Sequence, residues 1–195
     1  KQNPNWPFEK TNTLLESADI AFINLENPLI KNCPIINSGF TFCGESTNVA
    51  GLIYAGVDVV NFANNHASNY GVEGVDETVQ LLSQNNMLVA GVSGPVYKEV
   101  DGTVFAFLGY NEVNIQPGTA TAEEALITRE ISTARKQADI VVVQFHWGVE
   151  YVHQPGANQK RLARLAIDAG ADVSHEDPVR AQSRHASVQD PSIFT

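Results

Sequence analysis

The sequence is short of positive charge and contains no long apolar run. Lysine and arginine number 12 against 22 aspartates and glutamates, which gives a formal net charge of −10. This balance argues against a nucleic-acid partner and against an anionic membrane surface. No apolar run reaches the roughly 20 residues that cross a bilayer, and the N-terminal residues lack the order of a signal peptide. A site for an anionic substrate would therefore most simply take its positive charge from a metal.

Cysteine is also scarce. The chain has 2 cysteines, Cys33 and Cys43, and both lie in a turn-rich segment. Without nearby histidine pairs they make a poor zinc motif. Two alternatives stay open: the cysteines are free thiols, or they form a disulfide, which would imply an oxidising compartment.

The remaining composition is that of an ordinary folded domain. The chain has 195 residues, of which 43% are hydrophobic, and this is enough to bury a substantial core. Apolar periods alternate between helical and strand spacing, which predicts a single layered α/β domain. We predict helices over 8–16, 46–54, 75–84, 122–137 and 158–169. We predict strands over 19–23, 57–63, 87–92 and 139–145, a hairpin over 98–109, and a last strand that begins at residue 171.

The pattern stops after Val173. Residues 174–195 show neither the strand nor the helix period, and two prolines interrupt them. We therefore predict a domain over residues 1–173 and an irregular or disordered tail over residues 174–195.

Polar side chains stand at the carboxyl ends of three predicted strands. Asn65 and His66 follow the strand over 57–63, His146 follows the strand over 139–145, and Glu26 follows the strand over 19–23. In an open α/β sheet, ligands bind at this edge. Three strands that each aim a metal-binding or proton-transfer side chain at one edge are hard to explain by packing.

Each of these residues also has a structural interpretation. Asn65 and His66 can cap a helix, His146 can be a hydrogen-bonded core residue, and Glu26 can be an exposed loop acid. The functional interpretation makes His66 a proton donor or acceptor, beside a mixed nitrogen and oxygen site for Mn, Mg, Fe or Zn. A nucleophile elbow, a Walker loop and a dinucleotide fingerprint are absent. Water activated by a metal is the mechanism that remains.

Four segments match one known family in order. They are Asn-Leu-Glu-Asn-Pro at 24–28, Ala-Asn-Asn-His-Ala at 63–67, His-Trp-Gly-Val-Glu-Tyr at 146–151, and Ile-Asp-Ala-Gly-Ala-Asp at 167–172. The chain thereby resembles the bacterial CapA capsule synthesis family, also called the poly-γ-glutamate capsule biosynthesis family, over residues 7–173. The resemblance implies the fold of calcineurin-like metallophosphoesterases, a layered sandwich of β-sheets flanked by helices.

The resemblance also implies roles for the residues at the strand ends. In that superfamily a Gly-Asn-His segment supplies an asparagine metal ligand and a catalytic histidine. The resemblance therefore makes Asn65 a ligand of one or two divalent metal ions and His66 the general acid. His146 resembles the ligand delivered by a later strand. Glu26 resembles the acidic position of the second motif, as a carboxylate ligand or as an acceptor that holds the tautomer of a histidine.

Two residues beside these are expected to contact substrate. Asn64 directly precedes the Asn65 and His66 pair, and Glu150 follows the His-Trp-Gly segment. We assign both to substrate binding; for Glu150 the alternatives are a carboxylate that orients the His146 imidazole and a solvated loop carboxylate.

The chain departs from the family pattern at both ends. The family begins with a strand that ends in Gly-Asp, and nothing upstream of Lys1 is present to hold it. The family also continues into a strand and a Gly-His-x-Pro-His motif, whereas this chain reads Ser-His-Glu-Asp-Pro at 174–178. We therefore expect a domain that lacks its first and last strands, with an incomplete metal site.

The resemblance implies a role in the synthesis or processing of an anionic capsule polymer such as poly-γ-glutamate. The expected activity is metal-dependent hydrolysis of a phosphoester or of an amide in the polymer. The alternatives are a non-catalytic partner of membrane-bound synthase subunits that assembles with them or binds polymer, and an inactive gene fragment. Family members act at the outer face of the bacterial membrane; this chain itself is expected to be soluble and shows no anchor.

Overall fold

Two β-sheets pack face to face, and helices cover the outer side of each. The computed structural model describes residues 3–36, 39–149, 151–152 and 154–178. The strands are β1 Phe22–Asn24, β2 Leu29–Ile30, β3 Gly44–Glu45, β4 Val59–Asn61, β5 Leu88–Ala90, β6 Val96–Val100, β7 Thr103–Asn111, β8 Ile140–Trp147 and β9 Val173–Pro178. The helices are α1 Asn12–Glu16, α2 Val49–Tyr54, α3 Gly71–Gln84, α4 Glu124–Ala134 and α5 Ala157–Ala169, with 3-10 turns at Trp6–Phe8 and Ser46–Asn48. The predicted layered α/β fold is confirmed.

The first sheet has the order β1-β4-β5, and its strands are parallel. In β4, every residue from Val59 to Asn61 is buried, because the second sheet covers one face and helices cover the other. The strands β2 and β3 form a separate short parallel pair. Because β1, β4 and β5 are parallel, their carboxyl ends meet at one edge of the first sheet.

The second sheet has the order β6-β7-β8-β9. The strands β6 and β7 form the predicted hairpin, in which Asp101 and Gly102 both take positive φ values of 50° and 80°. Such a turn matches the twist of the strands it joins. The strands β7, β8 and β9 are parallel, so their carboxyl ends also share one edge.

Side chains alternate between the two faces of β8. Val141, Val143 and Phe145 are buried in a core with α4 and α5. Val142 packs on the other face, in the core between the sheets, where Phe22 and Phe107 meet edge to face with ring centroids 5.0 Å apart. His146 shares the inter-sheet face, at the carboxyl end of the strand.

The helices differ from expectation mainly at their ends. The segment predicted as one helix over 8–16 forms a 3-10 turn and the short α1, neither of which has a buried residue to stabilise it. Ser46 begins a 3-10 turn and does not cap a helix. The prediction for α5 is confirmed, including Gly170, which ends it with φ 115°. No helix within the described ranges is long and apolar enough to cross a membrane.

The strand β9 differs from the irregular segment expected from residue 174 and from the expectation that the last strand is missing. It pairs in parallel with β8, from Val142 opposite Val173 to Trp147 opposite Pro178. The edge of β8 offers backbone donors and acceptors, and a strand can satisfy these without an alternating apolar pattern. Residues 179–195 of the expected tail lie outside the described residues.

The structure decides between the two alternatives for the cysteines. Cys33 and Cys43 form a disulfide, with their Cα atoms 5.9 Å apart. The bond closes the long segment that leads from β2 to β3, and Phe42 lies beside it in the chain.

Candidate metal and proton-transfer site

His146 lies at the centre of the candidate site. The side chain is 1% exposed, and its Nε2 atom lies 2.7 Å from Asn65 Oδ1. The same Nε2 atom is 3.9 Å from Glu26 Oε1. The structure therefore brings together the three residues predicted as metal ligands, from β8, from the segment after β4 and from the segment after β1.

The contact between His146 and Asn65 joins two atoms that can each act as a ligand. The carboxamide oxygen of Asn65 only accepts hydrogen bonds, and Nε2 of a neutral imidazole accepts when the proton is on Nδ1. Either His146 carries its proton on Nε2 and donates it to Asn65, or a cation takes the place of that proton. The carboxylate of Glu26 adds negative charge at the same point. This donor set fits a divalent metal with mixed nitrogen and oxygen ligands.

Asn64 ties the segment that carries Asn65 and His66 to the end of β1. Its Nδ2 group donates to Leu25 O at 2.7 Å and to Asn24 Oδ1 at 3.2 Å, and its Oδ1 atom accepts the His66 N–H at 3.0 Å. Asn24 in turn donates to Glu26 Oε2 at 2.8 Å. Asn64, which we expected to bind substrate, is fully buried, so the contacts it makes here brace the site.

Asn61, the last residue of β4, fixes the start of the same segment. Its Oδ1 atom accepts the Ala63 N–H at 3.0 Å, and the side chain is fully buried. Two glycines make room for this carboxamide. A Cβ at Gly109 would lie 2.6 Å from Asn61 Cγ, and a Cβ at Gly91 would lie 2.7 Å from Asn61 Oδ1. The Asn61 carboxamide therefore requires glycine at residue 109 of β7 and at residue 91, directly after β5.

His66 lies on the accessible side of the segment and is half-buried. Its Nδ1 atom is 3.1 Å from Asn69 Oδ1, and its ring packs against Phe42 with centroids 4.6 Å apart. The adjacent Ser68 hydroxyl donates to Gln116 of the loop after β7. The imidazole is thus held by Asn69 and by the Phe42 ring, beside the residue that contacts His146.

The described residues contain no group of three or more His, Cys, Asp or Glu side chains that could hold a metal. The site has two such side chains, His146 and Glu26, and its third donor is the amide of Asn65. Glu150, which we expected to contact substrate, lies outside the described residues. Within the described ranges the donor set is therefore a partial one.

Sequence reasoning missed two asparagines that shape the site. Asn61 was included in an apolar strand, and a polar residue next to Phe62 in a buried strand was the signal that could have singled it out. Asn69 follows His66 by three residues, a spacing at which a short polar side chain can reach back to a preceding residue. Asparagine does not titrate, so neither residue suggests acid–base chemistry from its type alone.

A family model decides the relationship of the chain to known proteins. The model described as "Bacterial capsule synthesis protein PGA_cap" matches residues 1–175. The chain belongs to this family. The resemblance seen in the sequence motifs is therefore confirmed, and the matched range includes the PGA_cap segments that hold Glu26, Asn65 and His146.

Two curated relatives of this PGA_cap chain carry names from capsule synthesis. The PGA biosynthesis protein CapA of Bacillus subtilis (strain 168) is 33% identical over 85% of this chain and 48% of its own length. The capsule biosynthesis protein CapA of Bacillus anthracis is 29% identical over 87% of this chain and 47% of its own length. The chain thus spans about half the length of the curated relatives it matches.

A solved structure supports the fold of the PGA_cap domain. The crystal structure of a novel phosphatase from Mycoplasma pneumoniae superposes with a TM-score of 0.53, covering 85% of this chain and 56% of that one. The two sequences are 14% identical. The likeness shows a shared fold, consistent with the predicted metallophosphoesterase-like architecture.

Proposed function

We propose that this domain acts in the synthesis or processing of an anionic capsule polymer of the poly-γ-glutamate type, as a metal-dependent hydrolase. The convergence of Asn65 Oδ1, His146 Nε2 and the Glu26 carboxylate at one sheet edge carries the proposal. The names of the two CapA relatives support the polymer, and the phosphatase-like fold supports the class of reaction. The reaction is hydrolysis of a phosphoester or of an amide in the polymer.

The residues of the site have different roles in the proposed reaction. Asn65, His146 and Glu26 would hold the metal, and a divalent metal at such a site supplies Lewis-acid polarisation of a phosphoryl or carbonyl oxygen. His66 gives a proton to the leaving group, since an imidazole within reach of the substrate can act as a general acid. Asn64 keeps Asn65 and His66 in place through its three hydrogen bonds.

Charge gives a further reason to expect a metal. The chain has a formal net charge of −10, so a polymer of carboxylates is repelled by the protein as a whole. A bound cation reverses the sign of the field at one point of the surface. The polymer would then be attracted to the place where the chemistry happens.

The first test is metal binding by the whole chain. We would titrate Mn²⁺ and Zn²⁺ calorimetrically into the unaltered protein, His146→Ala and Asn65→Ala, with Asn85→Ala as the matched control. Asn85 donates to Leu81 O at the end of α3 and is not one of the residues that form the site. We expect binding that both site variants weaken by 10-fold or more and that Asn85→Ala leaves unchanged.

The second test separates catalysis from polymer binding. With metal present, phosphoester substrates and poly-γ-glutamate would be assayed for hydrolysis by the unaltered protein and by His66→Ala. We expect His66→Ala to lower turnover by about 10²- to 10⁴-fold while the metal affinity is retained. Polymer binding without turnover in either protein would replace the hydrolase with the non-catalytic alternative.

A further inference from the structure

Asn69 makes two contacts through one oxygen atom. Its Oδ1 lies 2.8 Å from the backbone nitrogen of Phe42 and 3.1 Å from Nδ1 of His66. The backbone N–H of Asn69 also donates to His66 O at 3.1 Å, so the residue is held against His66 by a tight turn. One side-chain atom therefore joins the loop that precedes β3 to the imidazole of the site.

The contact with Phe42 settles which end of the amide faces His66. The backbone nitrogen of Phe42 can only donate a hydrogen bond, so the atom that it meets must be the acceptor of the amide, the oxygen. A carboxamide flipped by 180° would set its NH₂ group against the Phe42 N–H, donor against donor. The position of the Asn69 oxygen is therefore assigned from the Phe42 N–H, which can only donate.

The orientation of the amide in turn fixes the proton on His66. An amide oxygen cannot donate, so Nδ1 of His66 must carry the hydrogen that lies between the two atoms. In a neutral histidine the other ring nitrogen, Nε2, then bears the lone pair. A free imidazole in water prefers the opposite tautomer, with the proton on Nε2.

The loop that supplies the Phe42 N–H is itself restrained. Phe42 precedes Cys43, whose disulfide with Cys33 closes the loop. The Phe42 ring also packs on the His66 ring at 4.6 Å and meets the Phe40 ring edge to face at 6.4 Å. The group that orients the amide is therefore anchored by a covalent bond and by ring packing.

We propose that Asn69 is a positioning residue that holds neutral His66 in the Nδ1–H form, so that His66 exchanges protons with a substrate through Nε2 alone. The catalytic part of this statement rests on the proposed function, whereas the tautomer does not. Because Asn69 is an amide and not a carboxylate, it orients the ring without adding a negative charge that would favour the imidazolium.

The test reads the tautomer of His66 directly, with no need for turnover. Long-range ¹H–¹⁵N spectra of the uniformly labelled chain distinguish Nδ1–H from Nε2–H, and the His66→Gln spectrum identifies the signals of His66. We expect Nδ1–H in the unaltered protein and in the control Asn85→Ala, and a shift of population to Nε2–H in Asn69→Ala. An Nε2–H form in the unaltered protein, or an unchanged Nδ1–H form in Asn69→Ala, would overturn the proposal.

Asn69→Asp provides a second, independent measurement. Aspartate keeps an acceptor for both the Phe42 N–H and His66, so the fold and the Nδ1–H form are expected to persist. The long-range ¹H–¹⁵N spectrum of Asn69→Asp measures this, and a shift to the Nε2–H form in that variant would overturn the proposal. Loss of hydrolysis in every protein, with the tautomer as expected, would count against the proposed function alone.

Discussion

The fit of Asn61 against Gly109 gives the sharpest quantitative prediction. Gly109 lies on β7 opposite Gln144 of β8, and its Cα faces the carboxamide of Asn61 across the two sheets. A methyl group at residue 109 would come within 2.6 Å of Asn61 Cγ, and still closer to Asn61 Oδ1. Ordinary contacts of a Cβ begin near 3.4 Å. Either the strand or the buried carboxamide must therefore shift to relieve the overlap.

The magnitudes of the single changes follow from this geometry. Gly109→Ala overpacks a buried site, which costs about 1 to 3 kcal/mol in the free energy of unfolding. Asn61→Ala removes the acceptor of the buried Ala63 N–H, which costs about 1 to 3 kcal/mol. The cost of Asn61→Ala is offset in part, because the change also removes Asn61 Nδ2. This buried donor has no hydrogen-bond partner in the described part of the chain.

The double variant separates the clash from other effects. In the Asn61→Ala background the added methyl group enters the space that the carboxamide has left, so Gly109→Ala should cost little. We therefore expect the double variant to be more stable than the sum of the single changes predicts, by about 1 to 3 kcal/mol. Urea unfolding of the oxidised proteins, with equal m-values, measures this coupling energy. Additive effects within about 0.5 kcal/mol would refute the clash as the reason for glycine at residue 109.

Two further predictions concern stability. Reduction of the Cys33–Cys43 disulfide, which closes a loop over a separation of 10 residues, should lower the free energy of unfolding by about 2.5 to 3 kcal/mol in the chain-entropy model; equal urea midpoints for the oxidised and reduced proteins would contradict this. Burial raises the pKa of Tyr110, as do the charge of Glu130 and the hydrogen bond to it. The raised pKa means that Tyr110 stabilises the fold below pH 10 and that this stability is lost as the pH rises further, because the unfolded chain ionises first. The loss is about 1.4 kcal/mol per pH unit. Urea unfolding at pH 9 to 11 should show a shallower decline for Tyr110→Phe than for the unaltered protein, and equal declines would contradict the assignment.

Much of the fold follows from local signals in the sequence. The short β-branched run before Asn61 is buried as a strand, Asp101-Gly102 makes the expected hairpin turn, and Gly170 ends α5 with a positive φ. The strand β9 could not be predicted in this way. It pairs with the open edge of β8 through backbone groups, and backbone pairing leaves no side-chain pattern to detect.

The same distinction applies to the candidate site, where some residues could be predicted from the sequence and others could not. Glu26, Asn65 and His146 could be singled out because each stands after an apolar strand, and parallel strands bring such residues to one edge. Their supporting residues could not, since Asn61 and Asn69 act through single hydrogen bonds whose partners are visible only in three dimensions. Asn64, predicted to bind substrate, is buried and donates to Leu25 O, a contact that only the three-dimensional structure shows.

The use of asparagine has a consequence for the chemistry of the site. Asn61, Asn64 and Asn69 orient their neighbours through donors and acceptors that carry no net charge. Of the three proposed ligands, only the carboxylate of Glu26 has a formal charge, because the Asn65 amide is neutral and a ligating imidazole must be neutral. A divalent cation bound by these three groups would keep part of its positive charge, in a chain whose formal net charge is −10. The remaining charge is then available to attract and polarise an anionic group of the substrate, which a site built from several carboxylates would neutralise.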